Sequence, residues 1–199
     1  LALEETHHHA PQRVTFTASG ASGEFVLNGT KTFVLDGHVA DLLLVVARSS
    51  GAPDDTDGVS IFAIPRDRNG VSGTRTFMVD SRNAANVTCS DVTATKADLL
   101  GGEEALGRAR GPLAYTLALA RIGLAAEMLG SIEEAFDRTL AYLKTREKFG
   151  VLIGSFQGLK HRAAEMFSEI ELAKSVVMEA LDAVERKDEA LPLLSSLAK

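Results

Sequence analysis

The feature that most constrains this chain is a change of apolar period near Gly101-Gly102. Before it, short runs of β-branched and aromatic residues recur between turn signals. After it, apolar residues recur every three to four positions and glycine thins out. The two periods present side chains on different kinds of face, so one layer cannot serve both. Strands gathered in one half and helices in the other indicate an α+β chain of two domains, not a doubly wound sheet. The expected domains are an antiparallel β-barrel or sandwich over 1–102 and the first helices of an up-and-down bundle over 103–199.

In the first half, residues 14–18 and 25–27 flank a Ser/Gly-rich turn over 19–23. Asn28-Gly29 is a tight-turn dipeptide leading into a strand over 31–35. Residues 41–47 form a continuous apolar run, expected as a fully buried strand. Residues 59–64 alternate as a half-buried strand and stop at Pro65, and 71–78 and 86–92 supply two more. About seven short strands with turns between them read as a barrel or sandwich.

The second half restarts at Gly111-Pro112, with proline suited to a first turn. Leu113, Leu117, Leu124, Met128, Ile132, Phe136, Leu140 and Leu143 form one apolar stripe, interrupted by a wider gap at Arg121. A helix of about 35 residues is roughly 50 Å long and needs a bundle to cover that stripe. A second stripe runs from Phe156 through Met166, Ile170 and Val177 to Val184, and a third helix is expected from Leu191.

Several classes are unsupported. No apolar run is read as membrane-spanning. A net charge of −6 without a basic patch argues against nucleic acid. One cysteine, Cys89, leaves no internal disulfide and fits a reducing, cytoplasmic setting. His7-His8-His9 share no face and lack companions for a metal set, so they read as a solvated loop, and His38 and His161 read as structural. An apolar opening without a start methionine is expected of a piece of a longer chain.

The densest chemistry lies where the first long helix gives way to the second. Gly150 suits a helix C-terminus and Ser155 the N-cap of the next helix. Arg146, Phe149 and Gln157 bring a fixed charge, an aromatic face and a planar amide to this corner. Such a set suits a ligand with a phosphate and a flat ring system. The other reading is structural: Arg146 caps its own helix, Phe149 is core and Gln157 is solvated.

Arg146-x-x-Phe149-Gly150-x-x-Ile153-x-x-x-Gln157, followed by Ala164-Glu165-Met166, resembles the acyl-CoA dehydrogenases. So do Glu24-x3-Asn28-Gly29-Thr30-Lys31, Ala40-Asp41-x4-Val46-Ala47 and Leu99-Leu100-Gly101. The resemblance spans the family's middle β-domain and the first half of its C-terminal helical domain. It implies FAD as cofactor, with Arg146, Phe149 and Gln157 reaching the flavin nucleotide of a neighbouring subunit. It also implies an acyl-CoA substrate with Arg121 lining its channel, an electron-transfer flavoprotein or similar acceptor, and a homo- or heterotetramer.

Departures accompany the matches. Phe33 and Leu35 stand where the family has a tryptophan packed on the flavin and a hydroxyl near flavin N5. Phe33 can stack, whereas Leu35 has no hydroxyl to donate. Glu4 replaces another hydroxyl, and residues 6–11 replace a glycine-rich loop. Ala120 stands where some members carry their catalytic glutamate, so no catalytic residue is assigned. The resemblance thus suggests a subunit that completes a partner's FAD site, as in heteromeric members acting on steroid side-chain CoA esters. An ordinary homotetrameric dehydrogenase with variant flavin contacts, and a non-enzymatic scaffold on the same fold, are the alternatives.

Overall fold

A computed structural model describes residues 1–80 and 82–199. The chain forms two compact units, Leu1–Pro112 and Leu113–Lys199. The boundary falls after the expected 102, because residues leading into the first long helix stay with the sheet. Arg110 donates to the carbonyls of Pro11, Gln12 and Asp55.

The first unit is one six-stranded sheet with strands β1 (Thr17–Ala21), β2 (Glu24–Leu35), β3 (Leu42–Arg48), β4 (Val59–Pro65), β5 (Val71–Phe77) and β6 (Asn83–Thr95). Their order is β4-β3-β1-β2-β6-β5. The sheet is mixed, not purely antiparallel, since β1 meets β3 in parallel at Thr17 and Arg48. Ser22 and Gly23, both at positive φ, make the two-residue turn joining β1 to β2. Two left-handed residues give the turn whose twist matches the strands it joins.

Residues 25–35 are a single strand. Asn28-Gly29, expected as a hairpin turn, lies inside β2 at a register shift against β6. Gly29 is there because Phe16 packs over it: an added Cβ would lie 2.6 Å from the Phe16 ring. Strand β4 is buried along most of its length instead of alternating. Phe16, Phe25, Leu27, Val45, Phe62, Ile64, Val87 and Val92 are among the residues of the core.

Side chains complete what the ladder leaves open. Strands β4 and β5 are its two edges, yet Arg66, just past β4, reaches Gly73 of β5. A Cβ on Gly73 would stand 2.4 Å from a terminal nitrogen of Arg66, whose Nε donates to the Gly37 carbonyl. Buried Arg48 bonds no carboxylate among the described residues. Its guanidinium donates to the carbonyls of Val14, Ser50, Pro53, Asp55 and Asp57 and draws the loop over 50–57 around itself.

The second unit contains most of α1 (Arg110–Thr145), a hairpin of β7 (Glu147–Lys148) and β8 (Val151–Leu152), α2 (Gln157–Arg186) and α3 (Leu191–Ala198). The seam uses smaller residues than the expected stripe. Ala118 and Ile122 pack with Ala180, Ala183 and Leu191, while Leu124, Met128 and Ile132 are substantially exposed. Alanine lets helix axes approach more closely than leucine does, which moves the contact line across the helix surface. Phe136 and Phe167 extend the α1–α2 contact, with ring centroids 6.3 Å apart, and Lys174 donates to Glu133 at 2.9 Å. No apolar run was expected to span a membrane, yet helix α1 is long and apolar enough to do so by length and composition alone. The same helix supplies the seam residues above.

Candidate functional site

Helix α1 ends at Thr145, whose hydroxyl donates back to the Ala141 carbonyl at 3.0 Å. The chain then turns through the β7–β8 hairpin. Its two turn residues, Phe149 and Gly150, have φ of 56° and 80°. Gly150 therefore closes a two-residue hairpin and not, as expected, the helix. The Arg146 carbonyl accepts the Ile153 N–H at 2.8 Å and shuts the hairpin's base. A 3-10 turn over Ile153–Ser155 follows. Ser155 is not the N-cap of α2 either: its hydroxyl donates to the Leu152 carbonyl at 2.6 Å, and Phe156 occupies the cap without a side-chain bond. Gly154 fits against α1 because a Cβ there would lie 2.6 Å from the Leu143 carbonyl oxygen.

This local fold sets Arg146 at the hairpin's foot, Phe149 at its tip and Gln157 as the first residue of α2. Phe149 is 93% exposed and is not core; its ring meets Phe156 edge-on at 6.4 Å. The Arg146 guanidinium does not return to the carbonyls of α1. Arg146 and Gln157 are exposed, and neither side chain has a hydrogen bond or ion pair among the described residues. Their donors are unspent. Arg121, half-buried on α1 beside Ile122, likewise forms no ion pair among the described residues.

The sheet treats its polar groups differently. Glu5 accepts from the Thr15 N–H at 2.8 Å, the Phe16 N–H at 3.1 Å, the Thr15 hydroxyl and Lys31 Nζ at 2.7 Å. Burial pushes its carboxyl up, but Lys31 and these donors outweigh burial and hold it below the usual carboxylate range. Lys31 is fully buried, donates also to the Leu3 carbonyl at 3.0 Å and lies over the Phe16 ring. Glu4 accepts from the Ala10 N–H at 3.2 Å, and its other oxygen lies 2.6 Å from His9 Nδ1. The carboxylate thereby closes the exposed loop carrying His7, His8 and His9. No metal-binding group of histidine, cysteine or acidic residues occurs among the described residues.

Phe33 and Leu35 lie at the far end of β2, 43% and 58% exposed. Phe33 has φ 49°, a conformation that costs a non-glycine residue about 1–3 kcal/mol and persists only where its surroundings impose it. They do. Between Lys31↔Val87 and Val34↔Ala85, Thr32 and Phe33 oppose the single residue Asn86, which is a β-bulge. The Phe33 N–H donates to Asn86 Oδ1 at 3.3 Å. Thr32 is tied on the other side, its N–H to the Glu4 carbonyl at 2.7 Å and its hydroxyl to Thr6 at 2.9 Å. Asn86 and the buried Lys31–Glu5 pair were not assigned roles from sequence. An asparagine inside a strand, where that residue type is disfavoured, was the available signal.

Comparison with known families covers most of the chain. Residues 4–95 match the acyl-CoA dehydrogenase middle domain and 113–199 the acyl-CoA dehydrogenase C-terminal domain. The chain belongs to the acyl-CoA dehydrogenase family. It is 32% identical over 160 residues to the probable acyl-CoA dehydrogenase YngJ of Bacillus subtilis, covering 79% of this chain and 41% of that protein. It is also 32% identical over 173 residues to the mitochondrial short/branched chain specific acyl-CoA dehydrogenase of Rattus norvegicus, covering 85% and 39%. An acyl-CoA dehydrogenase from Geobacillus kaustophilus has the same fold at a TM-score of 0.87 and 26% identity, over 100% of this chain and 52% of that one. The chain thus spans about half of that structure and about two-fifths of those relatives.

Membership of the acyl-CoA dehydrogenase family implies FAD. The helical corner fits such a ligand, since an exposed ring stands there with a guanidinium and an amide that have no partner among the described residues. The sheet's polar set fits less well: Glu4 is an acceptor already engaged by His9 and Ala10, and Leu35 offers nothing to a flavin edge.

Proposed function

We propose that this chain serves in the FAD-dependent α,β-dehydrogenation of an acyl-CoA thioester, as a subunit whose helical corner completes the flavin site of a neighbouring chain. One observation carries this reading: Arg146 and Phe149 at the β7–β8 hairpin and Gln157 at the start of α2 are exposed, and the guanidinium and amide take no partner among the described residues. When bound, FAD supplies the acceptor for the hydrogen that leaves the β-carbon as hydride. The chain's own residues bind and orient. The Arg146 guanidinium pairs with a phosphate oxygen, for which its planar fork is suited. Phe149 gives a flat apolar face, and the Gln157 amide offers both a donor and an acceptor. Arg121, unpaired on α1, is assigned to the acyl-CoA side. With Ala120 where some members hold a carboxylate, no described residue is given the α-proton.

The assembly proposed is a heterotetramer in the cytoplasm, passing electrons to an electron-transfer flavoprotein or similar acceptor. The deciding experiment is the FAD count in the purified complex containing the full-length chain. Fewer than one FAD per chain is expected. One FAD per chain would overturn the lending arrangement in favour of a homotetramer in which each sheet also faces a flavin. The aromatic side chain held out at Phe33 is the observation that favours this second reading.

A further inference from the structure

Strands β2 and β6 carry two bulges built alike. In the first, Ser90 and Asp91 of β6 oppose Asn28 of β2. In the second, Thr32 and Phe33 of β2 oppose Asn86 of β6. Each bulge puts its second residue at φ 49° and strands an N–H that the ladder no longer accepts. In each, the asparagine opposite supplies the missing acceptor from its side chain: Asp91 N–H to Asn28 Oδ1 at 2.9 Å, and Phe33 N–H to Asn86 Oδ1 at 3.3 Å.

The residues so held differ in kind. Asp91 accepts a return bond from Asn28 Nδ2 at 3.0 Å, and aspartate tolerates the left-handed region. That bulge is self-sufficient. Phe33 is a bulky aromatic in the same region, its side chain makes no return bond, and the residue remains 43% exposed. A bulge re-aims the side chain it carries, away from where strict alternation would put it.

We propose that Asn86 is a positioning residue. Its amide oxygen replaces the bond that the register denies to Phe33 and fixes the Phe33 ring as an outward stacking face for a flat aromatic ligand. The ligand assignment rests on the second reading above, in which the sheet also faces a flavin. The backbone device stands without it.

The test uses the full-length protein carrying 4-fluorophenylalanine, with the Phe33 fluorine signal identified by its loss in Phe33→Leu. Asn86→Ala moves or broadens that signal, and Asn86→Asp, which keeps an acceptor oxygen, restores it. Asn28→Ala lowers the unfolding midpoint but leaves the Phe33 signal in place. Under that second reading, in which the sheet faces a flavin, Asn86→Ala binds FAD there about tenfold more weakly than the parent. An unmoved Phe33 signal in Asn86→Ala overturns the proposal, as does an equal movement in Asn28→Ala. If the signals behave as expected but the parent's Phe33 signal ignores FAD, the flavin assignment falls and the positioning role remains.

Discussion

On the sheet, Glu5 collects donors from Thr15, Phe16 and Lys31, and Glu4 engages His9 and Ala10. At the helical corner, Arg146 and Gln157 take no partner among the described residues. The first region spends its polar groups on holding itself together. The second is held by main-chain bonds, two hydroxyls returned to main-chain oxygens and one ring contact, with the polar side chains of Arg146 and Gln157 left over. Polar residues in a family motif therefore carry different meanings, and the hydrogen-bond inventory separates them. A carboxylate already saturated by its own chain serves stability; a guanidinium with no partner among the described residues is what the proposed flavin contact requires.

The contrast is broken most directly by Lys31→Ala. Removing one member of a buried pair should cost about 3–5 kcal/mol. Urea unfolding of the sheet unit measures it, and a loss below about 1 kcal/mol would show that Glu5 does not need the lysine. Arg146→Ala should do the reverse. It removes charge-assisted bonds worth about 1.5–3 kcal/mol, so FAD binding weakens on the order of tenfold to a hundredfold while the melting temperature holds. Equal losses of stability in both variants would erase the distinction.

Gly154→Ala tests whether backbone geometry builds the corner. The added methyl meets the Leu143 carbonyl at 2.6 Å, an overpacking that costs about 1–3 kcal/mol and shows in thermal melts. A pH series sharpens the sheet side. Glu5 is held below its unfolded range, so its stabilisation is present above that range and disappears as the pH falls through the folded value. Denaturant midpoints should therefore hold from neutrality to about pH 5 and drop below about pH 4. Glu5→Gln should flatten that drop. The smallest effect is expected from Leu35→Thr. A restored hydroxyl contributes at most about 1 kcal/mol, read as a modest gain in FAD retained per chain.

The elements were legible wherever a period ran long. The two long helices follow from apolar spacing sustained through their internal glycines, and the strand over 42–48 from an unbroken apolar run. What escaped was local and three-dimensional. Asn28-Gly29 has a turn's composition, yet Phe16 needs the bare glycine beneath it, and that packing joins two expected strands into one. Phe149-Gly150 escaped for the opposite reason. Gly150 was read as ending a helix, and phenylalanine does not announce a left-handed turn residue. At the corner, sequence grouped Arg146, Phe149 and Gln157, but spacing could not tell whether their side chains were engaged. Asn86 was invisible as a contact because register, not composition, sets it opposite Phe33.

The grip of Arg48 on its loop has a consequence for variation. All five of its bonds go to main-chain oxygens, so what it reads is the path of the loop and not the identity of its residues. The outward side chains of Asp54, Thr56 and Asp57 are then open to replacement, as in a randomised library, while one guanidinium goes on keeping the contour.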